Sequence, residues 1–223
     1  LYRGCIPSKA LLHVANVVSE ARDAAELGVT FGEPTIDVDR VRTWKEDVVT
    51  KLTGGLGQLS RARRVKYVRG RGRFSSANSI RVSSEDELSE VNFDYAIIAT
   101  GSMPAIPAPL RIESDRVWDS TAALELREVP DSLLIIGGGY IGLEMASVYA
   151  ALGSQVTVVE MTGSLLPGVD PDLVQVLARR IKPRLAALML NTTVASLADA
   201  PSGGVAVELR AADRNETLVF DRV

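Results

Sequence analysis

The segment that most constrains this chain is Gly137-Gly138-Gly139-Tyr140-Ile141-Gly142, a G-x-G-x-x-G turn between an apolar run, Leu133 to Ile136, and a helical stretch reaching about Leu152. A second apolar run, Val156 to Glu160, follows. Strand, glycine turn, helix and strand in that order form a βαβ unit with parallel strands. In such a unit Gly137 permits the tight turn and Gly139 lets the backbone approach a pyrophosphate. Gly142 lets helix and strand pack closely, and phosphate meets the free N–H groups at the positive end of the helix. Gly138, Tyr140 and Ile141 complete the turn. Glu160 closes the second strand 18 residues after Gly142, where a carboxylate accepts hydrogen bonds from the adenosine ribose and repels a 2′-phosphate. Val156 to Met161 contains no arginine, so NAD is expected rather than NADP. Three glycines can also merely cap a buried strand, and a flavin dinucleotide is the stronger rival for the same turn.

Around this unit the chain alternates helix and strand. Apolar residues at Leu11, Val14, Val18, Ala21 and Ala25 predict a helix that starts near Cys5 and stops before Gly28. A second helix follows Ile36-Asp37 through Val41, Trp44, Val48, Val49 and Leu52, with Gly54, Gly55 and Gly57 as weak points. Short strands are expected at Val65 to Val68 and Ser79 to Val82. Tyr95 to Ala99 reads as a strand covered on both faces. Pro104, Pro107 and Pro109 exclude helix and central strand and mark a crossing between domains, with the boundary placed by about Trp118. A helix near Asp170-Pro171 and strands at Leu188 to Leu190, Val205 to Leu209 and Thr217 to Phe220 complete the pattern. The expected fold class is α/β with a doubly wound parallel sheet and a strand-rich tail. No repeat recurs at a period of about 20–50 residues. The chain opens on Leu1 and closes on Phe220-Asp221-Arg222-Val223, which reads as the start of a strand; both ends look cut.

A formal charge of −3 gives no general pull toward nucleic acid or an anionic membrane surface, and no apolar run approaches the roughly 18 residues that span a bilayer. The single cysteine excludes a disulfide framework within the chain, so a reducing, cytoplasmic setting is expected. No metal site is expected.

That cysteine would ordinarily be a small buried hydrophobe. Its setting argues otherwise: Cys5 stands at a helix start, where the dipole and free N–H groups favour a thiolate, with Lys9 one turn along the same face. The segment Gly4-Cys5-Ile6-Pro7-Ser8-Lys9-Ala10-Leu11-Leu12 closely resembles the redox-active segment of the flavoprotein disulfide reductases, the class I pyridine nucleotide-disulfide oxidoreductases, and most of all that of the dihydrolipoyl dehydrogenases. In that family the segment reads C-x-x-x-x-C, and the first cysteine would fall immediately before Leu1. Ala99-Thr100-Gly101-Ser102 resembles the family's flavin-contacting turn, and Gly72 the glycine that passes the flavin's adenosine half. Trp118-Asp119-Ser120-Thr121 and Gly142-Leu143-Glu144 are also characteristic, and Val194 sits where the family contacts the NAD adenine.

The resemblance implies two cofactors, FAD and NAD. It makes Cys5 the flavin-side sulfur and Lys9 the lysine near the flavin ring, with Gly72, Thr100, Gly101 and Ser102 as further FAD contacts. Gly137 to Gly142, Leu143, Glu144, Glu160 and Val194 become NAD contacts. It implies residues 1–117 as part of an FAD-binding domain carrying the redox helix, followed by an inserted NAD-binding domain over 118–223, truncated at its C-terminus. The implied reaction is oxidation of protein-bound dihydrolipoamide with reduction of NAD⁺. The partners are lipoyl domains of 2-oxo acid dehydrogenase complexes or the glycine cleavage system, and the complete protein is a homodimer. Two features argue against the NADPH-dependent glutathione reductases: Glu160, and glycine rather than alanine at position 142. Mercuric reductase and the soluble transhydrogenases share much of the pattern, and a non-catalytic NAD-binding module is the rival from another class.

Three other features carry less. His13, the only histidine, is assigned to packing or a surface contact. Arg61 to Arg73 holds seven basic residues and no acid, but no aromatic cluster accompanies it and Glu85, Asp86, Glu87 and Glu90 follow, so a solvated strand edge is expected. Trp44 is assigned to the core and Trp118 to the domain junction.

Overall fold

In the computed structural model, which describes residues 1–84 and 88–223, α1 (Cys5–Asp23) begins at the redox segment, with Pro7 tolerated in its first turn. It tightens into a 3₁₀ turn, Ala24–Leu27, and stops where Gly28 turns left-handed at φ 85°. Asp37 accepts the Arg40 N–H at 3.0 Å and so starts α2 (Val38–Ala62), which runs on through Gly54, Gly55 and Gly57. Then come β1 (Arg71–Ser76), β2 (Ser79–Ser83) and β3 (Leu88–Asn92). Asp119 caps α3 (Ser120–Glu125) by accepting the Thr121 and Ala122 N–H groups at 2.9 and 2.8 Å. The remaining elements are β4 (Ser132–Ile136), α4 (Tyr140–Leu152), β5 (Gln155–Val159), α5 (Pro171–Ile181), β6 (Ala187–Met189), β7 (Thr193–Asp199), β8 (Val205–Arg210) and β9 (Asn215–Phe220).

By compactness the chain divides into two units: residues 1–51 pack with 104–223, and 52–103 stand as the second unit. In the larger unit β4, β5 and β6 form a parallel sheet, Leu133 opposite Val156 and Val159 opposite Met189. Strand side chains alternate between faces, so β4 and β5 feed two cores. Leu133, Val156 and Val158 pack with Leu11 and Ala15 of α1, Ala146 and Tyr149 of α4, and Val174 and Ile181 of α5. Leu134 and Val159 face the other way, against Leu197, Val205, Val207, Leu209 and Phe220. Those residues come from the antiparallel meander β7-β8-β9. The fold is therefore α/β, but helices cover only one face of the parallel sheet, unlike the doubly wound expectation. The period-two run Val205, Val207, Leu209 supplies an apolar sheet face where a helix would otherwise lie.

The tail continues as expected. Leu134 N–H donates to Arg222 O at 3.0 Å, Arg222 N–H to Ser132 O at 3.3 Å, and Leu133 bridges Arg222 in parallel. Asp221 accepts from both the N–H and the hydroxyl of Ser132 at 2.8 Å. These bonds, led by the Ser132 hydroxyl, hold the Asp221 carboxyl below its ordinary pKa.

α1 and α4 lie side by side, with Lys9 paired to Glu144 at one end and Arg22 donating to Ala151 O at 3.2 Å at the other. A clasp not foreseen in the sequence fixes the start of α2. Lys45, only 5% exposed, donates to the carbonyls of Leu124 and Glu125 at the end of α3, and Arg42 donates to those of Leu126 and Arg127. Burial lowers the Lys45 pKa below the ordinary lysine range, an effect that Glu46 opposes and Arg42 reinforces.

The smaller unit is an antiparallel sheet in the order β1-β2-β3, bulged between Phe74 and Ser76. β1 is an exposed edge strand, so Arg71 and Arg73 of the basic run are solvated as expected. Two expected strands are absent here. Val65 to Val68 has no regular structure, and Tyr95 to Ala99 is not a covered strand: Tyr95 is 94% and Ile97 93% exposed. An extended run becomes a strand only where it meets the N–H and C=O groups of a neighbour, and Tyr95 to Ala99 pairs with no strand among the described residues. Glu85, Asp86 and Glu87 lie outside the described residues.

Candidate functional site

The glycine turn is built by close approach. β4 ends at Ile136, and Gly137 takes φ 108° while its N–H donates to Val159 O at 2.8 Å, locking the turn to β5. A Cβ on Gly142 would stand 2.2 Å from Gly137 O, so only glycine lets α4 start directly above the turn. Gly138 is constrained less severely: its Cβ would meet the end of the Leu165 side chain, Cδ2, at 2.6 Å. Gly139, by contrast, has nothing within 4 Å of a Cβ, which leaves an open side. It is the N-cap of α4 and supplies no side-chain cap. The first bond of α4 is Leu143 N–H to Gly139 O at 3.0 Å, so the N–H groups of Tyr140, Ile141 and Gly142 precede the intrahelical ladder. Orphan donors at a positive helix end fit a phosphate group.

Glu160 lies against this turn, at 6% exposure. Its Oε2 accepts the Gly138 N–H at 2.7 Å, and its Oε1 accepts both the N–H and the hydroxyl of Thr162 at 2.8 Å. Burial alone would raise its pKa, but the bonds from Gly138 and Thr162, with one from the Met161 backbone, outweigh it and hold the carboxyl below its ordinary value. The carboxylate therefore stays charged and presents only acceptors. Nothing in the sequence pointed to Thr162 or Leu165, because their contacts depend on how the loop after β5 folds back. A cavity of about 530 Å³ adjoins the turn, walled by Ile135, Ile136, Tyr140, Ile141, Ile106 and Trp118, within the range of ligand sites.

The other expected residues are placed as follows. Leu143 is buried in the helix-side core. Val194 stands on β7, half-buried against the meander core. Glu144 holds Lys9 at 2.5 Å, and the Lys9 ammonium also donates to Ser8 Oγ at 3.4 Å, which leaves a third N–H for an acceptor on a flavin ring. Cys5 is exposed as the first residue of α1. Gly72, Thr100, Gly101 and Ser102 belong to the smaller unit and are exposed, Gly101 with φ 79°. His13 is exposed and stands beside Trp44 at 6.0 Å between ring centroids, a packing contact as expected, while Trp44 itself is exposed rather than core. Trp118 packs against Tyr149, also at 6.0 Å. No group of metal-ligating side chains occurs among the described residues, nor does any helix long and apolar enough to cross a membrane.

A family model described as Pyridine nucleotide-disulphide oxidoreductase matches residues 1–223, the whole chain. The chain belongs to this family. As a member of it, the chain is 51% identical over 206 residues to a dihydrolipoyl dehydrogenase of Vibrio parahaemolyticus, covering 92% of this chain and 43% of that protein. It is 46% identical over 221 residues to the dihydrolipoyl dehydrogenase of Haemophilus influenzae, covering 99% and 46% respectively. It thus spans less than half the length of these curated relatives. Among solved structures, LpdA of Mycobacterium tuberculosis superposes with a TM-score of 0.79 at 25% identity, covering 98% of this chain and 47% of that one. The HOCl-induced flavoprotein disulfide reductase RclA of Escherichia coli, as its Cu(II) complex, gives a TM-score of 0.74 at 28% identity, covering 98% and 45%.

Proposed function

We propose that the complete polypeptide is a dihydrolipoyl dehydrogenase, in which dihydrolipoamide and NAD⁺ become lipoamide, NADH and a proton by way of FAD. One observation carries this: the glycine turn with its charged Glu160 and the redox segment lie in a single unit, joined through Lys9 and Glu144. The names of relatives 40–51% identical support the same reading.

The N–H groups of Tyr140, Ile141 and Gly142 would hold the NAD pyrophosphate on the open side of Gly139, with Gly137 and Gly138 shaping the turn. Glu160 would take the adenosine ribose, Val194 the adenine, and Leu143 and Glu144 the helix side of the site. Lys9, Gly72, Thr100, Gly101 and Ser102 are the residues by which this chain would touch FAD. FAD, when bound, would supply the two-electron redox relay between the dithiol and NAD⁺. Cys5 is the flavin-side sulfur of the redox pair, and Glu144 fixes the Lys9 ammonium one turn further along α1. In this assignment residues 1–117 are part of an FAD-binding domain and 118–223 belong to an inserted NAD-binding domain of Rossmann type. The complete protein is a cytoplasmic homodimer that serves lipoyl domains of 2-oxo acid dehydrogenase complexes or the glycine cleavage system.

The test is the full-length polypeptide. It should purify yellow with bound flavin and reduce NAD⁺ in the presence of dihydrolipoamide, and Cys5→Ser should abolish turnover while flavin stays bound. Full activity in Cys5→Ser, or a wild type that turns over mercuric ion and not dihydrolipoamide, would overturn the assignment.

A further inference from the structure

How Glu160 is presented depends on the loop that follows it. Residues 161–170 fold back on the glycine turn: Leu166 N–H donates to Gly138 O at 2.9 Å, and Leu165 is buried against Gly138. Asn191 N–H donates to Thr162 O at 2.9 Å and pins the root of the loop to the turn between β6 and β7. From that fixed root Thr162 reaches Oε1 of Glu160 with both its N–H and its hydroxyl. The hydroxyl has one hydrogen but two acceptors, because the Ser164 carbonyl oxygen is also 2.8 Å away. It is satisfied in either orientation.

An ionised carboxylate has about four acceptor positions, two on each oxygen. The Gly138 N–H fills one on Oε2, and the Thr162 N–H fills one on Oε1. The Thr162 hydroxyl fills the second on Oε1 unless it turns to Ser164. The Met161 backbone N–H takes a further position, so the turn of the hydroxyl to Ser164 is what frees a position on Oε1 for a ribose hydroxyl. We infer that Thr162 is the positioning residue of the nucleotide site, a hydroxyl rotor that holds Glu160 against the glycine turn and yields Oε1 to a ribose hydroxyl as NAD binds, a role that rests on the turn being the NAD site.

Tyr140, Glu144 and Tyr149 of α4, Asp170 at the end of the loop, and Asp172, Arg179 and Arg180 of α5 are the titratable groups on the neighbouring elements, and none is a hydrogen-bond or ion-pair partner of Glu160 among the described residues. The donors of Gly138, Met161 and Thr162 alone hold its charge. Removing the hydroxyl should therefore let Glu160 protonate at higher pH, so that NAD⁺ affinity falls as the pH drops.

The experiment uses the full-length protein with Thr162→Val, which removes the hydroxyl at similar volume, and Thr162→Ser, which keeps it. NAD⁺ binding is measured by calorimetry at pH 7 and pH 4.5, and the Glu160 carboxyl titration is followed by ¹³C NMR without nucleotide. Thr162→Val should lose NAD⁺ affinity from pH 7 to pH 4.5, while wild type and Thr162→Ser change little. Its Glu160 titration should move to higher pH. A Thr162→Val protein with wild-type titration and wild-type pH dependence would overturn the role of Thr162, as would failure of Thr162→Ser to restore both. A shifted titration in a protein whose wild type binds no NAD⁺ would leave the clamp but remove the nucleotide, and so overturn the NAD reading and the rotor with it.

Discussion

Leu133 to Ile136 and Tyr95 to Ala99 are apolar runs of the same kind, yet Leu134 is buried between two layers and Ile97 is 93% exposed. The first has β5 along one edge, the tail at Arg222 along the other, and cores on both faces. The second pairs with no strand among the described residues. Hydrophobic sequence thus sets what a segment can do, and partners set whether it does it. The function follows the same division, because the candidate site assembles where the chain supplies its own neighbours: the glycine turn, Glu160 and the loop that closes on both.

The contrast is sharpest in stability. In the 223-residue chain, Leu134→Ala should cost about 2–5 kcal/mol, since it empties a fully packed position. Ile97→Ala should change stability by about 0.5 kcal/mol or less. Denaturant midpoints measure both, and equal costs would mean that the two runs are equally packed.

Within the site itself a second pair divides close approach from open space. Gly142→Ala puts a Cβ 2.2 Å from Gly137 O and should cost about 1–3 kcal/mol by forcing helix and turn apart. Gly139→Ala meets nothing and should change stability by about 0.5 kcal/mol or less, while weakening NAD⁺ binding in the full-length protein because its Cβ would occupy the approach to the orphan N–H groups. Thermal unfolding with and without NAD⁺ separates the two effects. If Gly139→Ala loses stability rather than binding, the open side is not the phosphate side.

These pairs show what could be read directly from the residues. The turn, Glu160, α1, α2, α4 and α5 were legible, since caps, glycines and helical spacing act within a few residues. β7 was not, because a bulge between Val194 and Ser196 breaks its alternation. The Lys45 clasp joins residues about 80 positions apart, and the Gly138 bond to Glu160 spans 22; no local pattern encodes either. The exposed state of Tyr95 to Ala99 was illegible for the converse reason, since a lone segment does not report whether its neighbours are present.

The smallest effect concerns the Lys9–Glu144 pair, whose lysine side chain is 62% exposed. Lys9→Met should shift stability by less than about 1 kcal/mol, because exposed ion pairs are screened and entropically costly. Denaturant unfolding measures this, and the full-length variant should instead lose turnover. A large loss of stability with normal turnover would make the pair a structural clamp and not part of the redox site.

The role proposed for Glu160, held charged on the glycine turn, is to select NAD over NADP. Its most direct test compares kcat/KM for NAD⁺ and NADP⁺ in the full-length protein before and after Glu160→Arg. The carboxylate should favour NAD⁺ strongly in the wild type, and the arginine should weaken NAD⁺ use and raise relative NADP⁺ use at least tenfold, equivalent to about 1.4 kcal/mol of discrimination. An unchanged ratio would contradict the assignment.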